Sequence, residues 1–202
     1  MYAVIGDLVA SRSTPQRAAV HRHVREVLEA TNEALAPVQP LEQTVGDELQ
    51  GGFASIGEAT QATLLVRLGC LPVIDVRCGV GVGETTVFDD TRRPLLQDGP
   101  AWWAARAALD VLAQPRRSGQ RTWYVDPDEP GDAGRINAYL LCRDQLVDRL
   151  GERAQRMLLA ALQGRTQREI AEAEGISPSA VSQQFARGVS AVREAQELLT
   201  EG

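Results

Sequence analysis

Two aspartates stand at positions where the ends of neighbouring strands could bring them together. Asp7 follows the apolar run 3–5, which is strand-like, and Asp47 lies with Gly46 between two strand-like segments. Paired carboxylates make an oxygen-only site that suits Mg²⁺ or Mn²⁺, with phosphate oxygens of a ligand completing the shell. Taken singly, each has a structural alternative: Gly46-Asp47 is a common hairpin turn, and Asp7 could accept a hydrogen bond at a helix start. The pair therefore predicts a metal or phosphate site and leaves that alternative open.

A second pattern lies in the carboxy-terminal part of the chain. Thr166 to Glu169 has the sequence of a capping box that opens a helix, and Gly175 supplies a sharp turn. Val181 and Phe185, four residues apart, form the buried face of the next helix. This spacing of capping residues, glycine and apolar anchors is that of a helix-turn-helix. Residues 155–199 therefore predict a DNA-binding unit, and a helical hairpin used only for oligomerisation is the alternative.

The second helix of this unit would enter the major groove and present polar side chains to the bases. The residues expected to contact DNA are Ser179, Ser182, Gln183, Gln184 and Arg187. Glutamine can pair bidentately with adenine, and arginine with guanine or phosphate. From residue 151 onward six arginines stand against seven acidic residues, so a monomer would bind weakly. A homodimer that recognises two half-sites on double-stranded DNA is therefore expected.

Periodicity and turn residues divide the chain into elements. They predict a first helix that opens at 13–15 and is closed by Pro37, a hairpin with arms 41–45 and 49–55, a helix over 57–68, a strand over 73–82, a helix over 100–112 and an edge strand over 122–125. The Asp-, Pro- and Gly-rich segment 126–134 predicts a linker, and the rest is helical. The expected organisation is an α+β domain over residues 1–128, followed by an all-α domain over residues 135–202.

Composition excludes several classes of protein. The chain has 202 residues and a net charge of −6, so a uniformly basic nucleic-acid coat protein is excluded. Lysine is absent, which removes lysine nucleophiles and Schiff bases. The three cysteines show no paired spacing, which argues against a disulfide framework and a zinc ribbon. No signal peptide or membrane-spanning segment is recognisable, so a cytoplasmic protein is expected.

Four segments of the amino-terminal part form a recognisable set. They are 4–12 around Asp7, 44–51 around Asp47, the Gly-alternating strand 76–83, and 98–106, which opens a helix. This set, together with the carboxy-terminal helices, resembles the SatD family of bacterial proteins over nearly the whole chain. The first 130 residues also look like the catalytic domain of class III nucleotidyl cyclases, which is a ferredoxin-like palm.

The cyclase likeness implies roles for individual residues. Asp7 and Asp47 would hold divalent metal ions, and Arg106 would meet a phosphate or a transition-state charge. The segment 9–13 would lie over phosphates, where the following helix dipole also favours an anion. The implied ligand contacts are Val9, Ala10, Ser11, Arg12 and Glu48. The likeness is incomplete, because Trp102 stands where cyclases carry an asparagine and no lysine is present to bind the base.

These patterns together predict a DNA-binding transcriptional regulator. Its cyclase-like domain would bind a nucleotide-like ligand, a divalent metal such as Mg²⁺ or Mn²⁺, or would mediate dimerisation. The alternative is a metal-dependent nucleotidyl enzyme that acts on nucleoside triphosphates through Asp7 and Asp47.

Overall fold

The structure, a computed structural model, describes residues 1–11 and 16–201. Arg12 and the predicted helix start at 13–15 therefore lie outside the described residues. The strands are β1 (Tyr2–Leu8), β2 (Gln39–Gln43), β3 (Glu48–Phe53), β4 (Val76–Val82), β5 (Thr86–Asp89), β6 (Leu96–Asp98) and β7 (Thr122–Val125). The α-helices are α1 (Arg17–Leu35), α2 (Ile56–Cys70), α3 (Pro100–Leu112), α4 (Pro130–Arg149), α5 (Glu152–Leu162), α6 (Gln167–Glu174), α7 (Pro178–Gln184) and α8 (Ser190–Glu201). Single turns of 3₁₀ and π-helix cover Pro115–Arg117 and Phe185–Val189.

Five of the strands form one sheet in the order β2-β3-β1-β4-β7. Neighbouring strands are antiparallel except β4 and β7, which are parallel. β1 is the central strand, and its run Ala3, Val4 and Ile5 is buried on both faces. Such a position requires a continuous apolar run rather than an alternating one. The predicted mixed α+β fold class is confirmed.

The two faces of the sheet are covered by different helices. α1 and α2 pack on one face, and α3 packs on the other against Ala3 and Ile5. A Cβ atom at Gly79 or Gly81 would lie 2.2 or 2.1 Å from the backbone of Ala105 on α3. The glycines in β4 therefore allow the backbones of the strand and the helix to approach closely.

Most predicted elements agree with the observed ones. The predicted helix 100–112 and strand 122–125 coincide with α3 and β7, and residues 44–47 connect the two arms of the predicted hairpin. The linker prediction for 126–134 is wrong in its second half, since α4 begins at Pro130. Pro130 occupies the first turn, and the Asp126 carboxylate accepts hydrogen bonds from the backbone N–H groups of residues 128 and 129. Proline and aspartate here start a helix instead of interrupting the chain.

The carboxy-terminal helices share a core with α2. Leu64 of α2 packs with Met157 of α5 and Val181 of α7 in one cluster of buried residues. α8 runs along α2 so closely that a Cβ atom at Gly57 would lie 2.4 Å from the Cα atom of Thr200. The two predicted domains are therefore in direct contact, and their division stays a prediction.

A network of charged side chains, buried at Arg67, Arg143 and Asp144 and exposed at Asp148, connects the sheet to these helices. The group, called the buried network below, comprises Arg67, Asp75, Arg121, Arg143, Asp144 and Asp148. Arg67 on α2 donates to Asp75 at 2.9 Å through Nε and also to Asp148 on α4. Arg121 donates to the other Asp75 oxygen at 2.6 Å. The guanidiniums of α2 and of the segment before β7 thus share one carboxylate.

The α4 members of the buried network bond mainly to other elements. Arg143 donates to the carbonyl oxygen of Thr60 at 2.8 Å and to the hydroxyl of Thr122 at 2.5 Å. Asp144 accepts the backbone N–H groups of Arg121 and Thr122 at 2.7 and 2.8 Å. These bonds satisfy backbone donors at the edge strand β7, which would otherwise be left buried and unpaired.

Within the described residues, no helix is both long enough and apolar enough to cross a lipid bilayer. The cytoplasmic location stays a prediction. The three cysteines are free, and Cys70 and Cys78 are buried.

Candidate functional site

The end of β1 brings charged residues from three strands into one row. Asp7 lies opposite Glu48 on β3 and opposite Arg77 on β4. Side chains alternate along a strand, so Asp7 is on the same face as Ala3 and Ile5, the face that α3 covers. The apolar contacts with α3 end before Asp7, and charged side chains continue the row.

Asp7 is engaged in a bidentate ion pair. Arg77 donates through Nε at 3.0 Å and through Nη2 at 2.6 Å to the two carboxylate oxygens. Both side chains are about one quarter exposed, at 23% for Asp7 and 27% for Arg77. No pattern in the sequence pointed to Arg77. The strand containing it was predicted, but its pairing with Asp7 depends on a register between segments 70 residues apart.

Glu48 forms a second pair of the same kind. Arg106 on α3 donates to both Glu48 oxygens at 2.8 Å. The hydrogen bond to Glu48 raises the pKa of Arg106, while partial burial lowers it to a smaller extent. The predicted phosphate-binding arginine therefore lies beside a carboxylate of its own chain. Asp7, Arg77, Glu48 and Arg106 are called the β1-end cluster below.

The loop after β1 lies next to this cluster. Ser11 donates a hydrogen bond from its hydroxyl to the Asp47 carboxylate at 2.5 Å and is buried. The backbone N–H of Leu8 donates to the carbonyl oxygen of Asp47, and that of Val9 to the carbonyl oxygen of Asp75. Ala10 is exposed with a positive φ of 56°. Among the predicted site residues, Asp7, Asp47, Val9, Ala10, Ser11, Glu48 and Arg106 thus come together, and Arg12 lies outside the described residues.

The carboxylates of this region do not fit a resident metal ion in the observed arrangement. Both oxygens of Asp7 and of Glu48 accept from guanidinium groups, and Asp47 accepts from Ser11. Among the described residues, no three His, Cys, Asp or Glu side chains are grouped so as to hold a metal. No chemical step is therefore derived through a metal ion here, and the Mg²⁺ or Mn²⁺ site at Asp7 and Asp47 stays an untested prediction.

The second candidate site is formed by α6, α7 and the turn between them. Thr166 caps α6 with its side chain, and Glu169 reaches back to the backbone N–H of Thr166, so the predicted capping box is present. This backbone hydrogen bond lowers the pKa of Glu169. Gly175 ends α6 in the left-handed region with φ 63°, and Ser177 caps α7. The capping box, the turn glycine and the start of the next helix are observed as predicted, but α7 ends at Gln184, one residue before Phe185.

One side of α7 and of the turn Phe185–Val189 that follows it is buried, and the opposite side is exposed. Val181 and Phe185 pack into the core shared with α5 and α6. The exposed side chains are Ser179, Ser182, Gln183 and Arg187, with Gln184 half-buried beside them. At Gly188 the backbone adopts φ 140°, which breaks the helical path before α8. This kink separates the exposed row on α7 from α8, which packs on α2.

Comparison with protein families identifies the chain. A model of the SatD family matches residues 1–193. This chain belongs to the SatD family. The match includes the β1-end cluster and all residues of α6 and α7 in this SatD-family protein.

Two solved structures resemble the SatD-family chain. Both are of a bacterial light-regulated adenylyl cyclase, at 12% identity and a TM-score of 0.49. The first alignment covers 61% of this chain and 42% of the cyclase chain, so the SatD-family protein spans less than half of that cyclase. The second covers 68% of this chain and 78% of the other. A search of curated proteins found no match.

Proposed function

We propose that this SatD-family protein is a DNA-binding transcriptional regulator that uses α6 and α7 as a helix-turn-helix. The observation that carries the proposal is the exposed row Ser179, Ser182 and Gln183 on α7, held by the buried Val181 and Phe185 beneath it. Polar side chains three and four positions apart lie on one helix face, which is how a recognition helix meets base edges.

The charges around α7 support this assignment. The segment from Gly175 to Arg193 contains two arginines and no acidic residue. The acidic residues of α6 are engaged locally: Glu172 with Arg168 at 3.2 Å, and Glu174 with Arg156 at 2.7 Å. Their negative charge is thereby partly offset, which lowers the repulsion that a phosphate backbone would meet.

We further propose that the sheet and α1 to α3 form a ferredoxin-like palm that binds a nucleotide-like ligand and supports dimerisation. The antiparallel order β2-β3-β1-β4, with α1 and α2 on one face, supports the palm. The loop after β1 and Arg106 are the proposed ligand contacts. A two-fold dimer with its α7 helices about 34 Å apart would place them in successive major grooves. The enzymatic alternative stays a prediction.

The proposal is tested by fluorescence anisotropy with double-stranded fragments, including the region upstream of the protein's own gene, at two salt concentrations. Binding is expected to weaken as salt rises, because arginine–phosphate contacts release counterions. Arg187→Ala is expected to weaken binding evenly across sequences and to reduce the salt slope by about one. Gln183→Ala is expected to relax base preference at one position.

The matched control is Arg22→Ala, which removes the same charge from the exposed face of α1. Its affinity for DNA is expected to equal that of the wild type. Absence of salt-dependent binding to every fragment would contradict the proposal and favour a helical unit used for oligomerisation. An equal loss in Arg22→Ala and Arg187→Ala would assign the binding to overall charge rather than to α7.

A further inference from the structure

The β1-end cluster is electrically balanced. It contains two carboxylates, Asp7 and Glu48, and two guanidiniums, Arg77 and Arg106. Each carboxylate has both oxygens occupied by the two-pronged donor of one arginine. A divalent cation is attracted by uncompensated carboxylates. This cluster offers it no net negative charge.

Arg77 also occupies the space that a metal ion would need. Its Nη2 atom lies 2.6 Å from Asp7 Oδ2, whereas a divalent ion binds carboxylate oxygen at about 2.0–2.6 Å. The guanidinium is held by its strand, since Arg77 and Asp7 are register partners on β4 and β1. An arginine side chain does not lose its charge in proteins, so a metal ion here would meet a permanent cation.

We propose that Arg77 is a built-in cation that excludes divalent metal ions from Asp7, which makes it the residue that sets cation specificity at the end of β1. The guanidinium holds the Asp7 carboxylate in place of a metal ion. Removing Arg77 leaves the Asp7 carboxylate, the register partner of Glu48, without its cation and opens it to a divalent ion that the natural protein does not bind.

The experiment is a titration of MnCl₂ alone, followed by the electron paramagnetic resonance signal of free Mn²⁺, which disappears when the ion is bound. Wild-type protein is expected to leave the signal unchanged. The Arg77→Met variant is expected to bind Mn²⁺ at least about tenfold more tightly than the wild type. The double variant Arg77→Met/Asp7→Asn is expected to lose that gain. Arg93→Met removes an exposed arginine from the segment between β5 and β6 and is expected to behave as the wild type.

Circular dichroism establishes that each variant is folded. Should Arg77→Met be unfolded, Arg77→Gln removes the charge and retains a hydrogen-bond donor for Asp7, with the same gain expected. Binding of Mn²⁺ by the wild type that is lost in Asp7→Asn would overturn the proposal. A folded Arg77 variant without any gain would also overturn it, because the arginine would then not be what excludes the metal.

Discussion

Two clusters of arginine and carboxylate in this protein use the same chemical groups in different surroundings. In the buried network, Arg143 and Asp144 have side chains only 1% exposed, and Arg67 is 4% exposed. In the β1-end cluster, Arg106 and Glu48 are 44% and 38% exposed. The contrast teaches that burial, more than the number of ion pairs, decides whether such a cluster holds the fold together or stays available to other partners.

The physical reason is the cost of removing charge from water. Breaking a buried pair leaves a charge with no solvent to replace the lost partner, whereas water hydrates an exposed partner at once. The buried network also bonds to the backbone, through the carbonyl of Thr60 and the N–H groups of Arg121 and Thr122. The β1-end cluster has only side-chain partners within its two bidentate pairs.

The largest effect is expected from Arg67→Met. The change leaves Asp75 with Arg121 alone and removes a cation that lies 3.9 Å from the fully buried carboxylate of Asp144 on α4. Loss of one member of a buried ion pair costs about 3–5 kcal/mol, so the free energy of unfolding should fall by that amount. Urea denaturation followed by circular dichroism measures it. Arg25→Met, at an exposed position of α1, is the control and should change stability by less than about 0.5 kcal/mol. Equal stabilities of the two variants would show that the buried network does not hold the fold together.

The ion pairs of both clusters could not be predicted from the sequence, whereas the capping box of α6 could. The capping box joins Thr166 and Glu169, three residues apart, so residue types alone locate it. Asp7 and Arg77 are 70 residues apart, and Arg67 and Asp148 are 81 apart. Such pairs depend on strand register and helix packing, which periodicity does not encode. Local signals therefore predicted α6 and α7 and the position of Asp7, but not the partner of Asp7.

The linker error has the same origin. Asp, Pro and Gly at 126–134 are typical of both loops and helix starts. What decides between them is the packing of α4 on β7, where Asn137 bonds to both backbone groups of Tyr124 at 2.8 Å. Asn137 lies beyond the ambiguous segment, and no residue inside the segment indicates that this contact forms.

A smaller effect is expected from the titration of Asp75. Burial alone raises the pKa of Asp75, but the hydrogen bonds and charges of Arg67 and Arg121 outweigh it and hold that pKa below its ordinary value. The Asp75 carboxylate therefore binds a proton more readily in the unfolded chain than in the folded protein. The stabilisation that ionised Asp75 gives the fold is complete above about pH 4 and is lost as the pH falls through the lowered pKa of the folded state. Urea midpoints between pH 7 and pH 3 should therefore fall more steeply in the wild type than in Asp75→Asn. Parallel curves for the two proteins would mean that the network gives Asp75 no pH-dependent stabilisation.

The smallest effect is expected from Arg106→Met in the β1-end cluster. This change breaks the bidentate pair with Glu48 as completely as Arg67→Met breaks its pairs, but Glu48 is exposed enough to be hydrated. The free energy of unfolding should fall by no more than about 1 kcal/mol, and added salt should reduce even this difference. Glu48→Gln removes the same pair from the other partner and should give a similar value in the same urea assay. A loss near that of Arg67→Met would show that the β1-end cluster is a structural element of the fold. A loss within the expected limit leaves Arg106 and Glu48 able to exchange partners at little cost, as contact with a ligand would require.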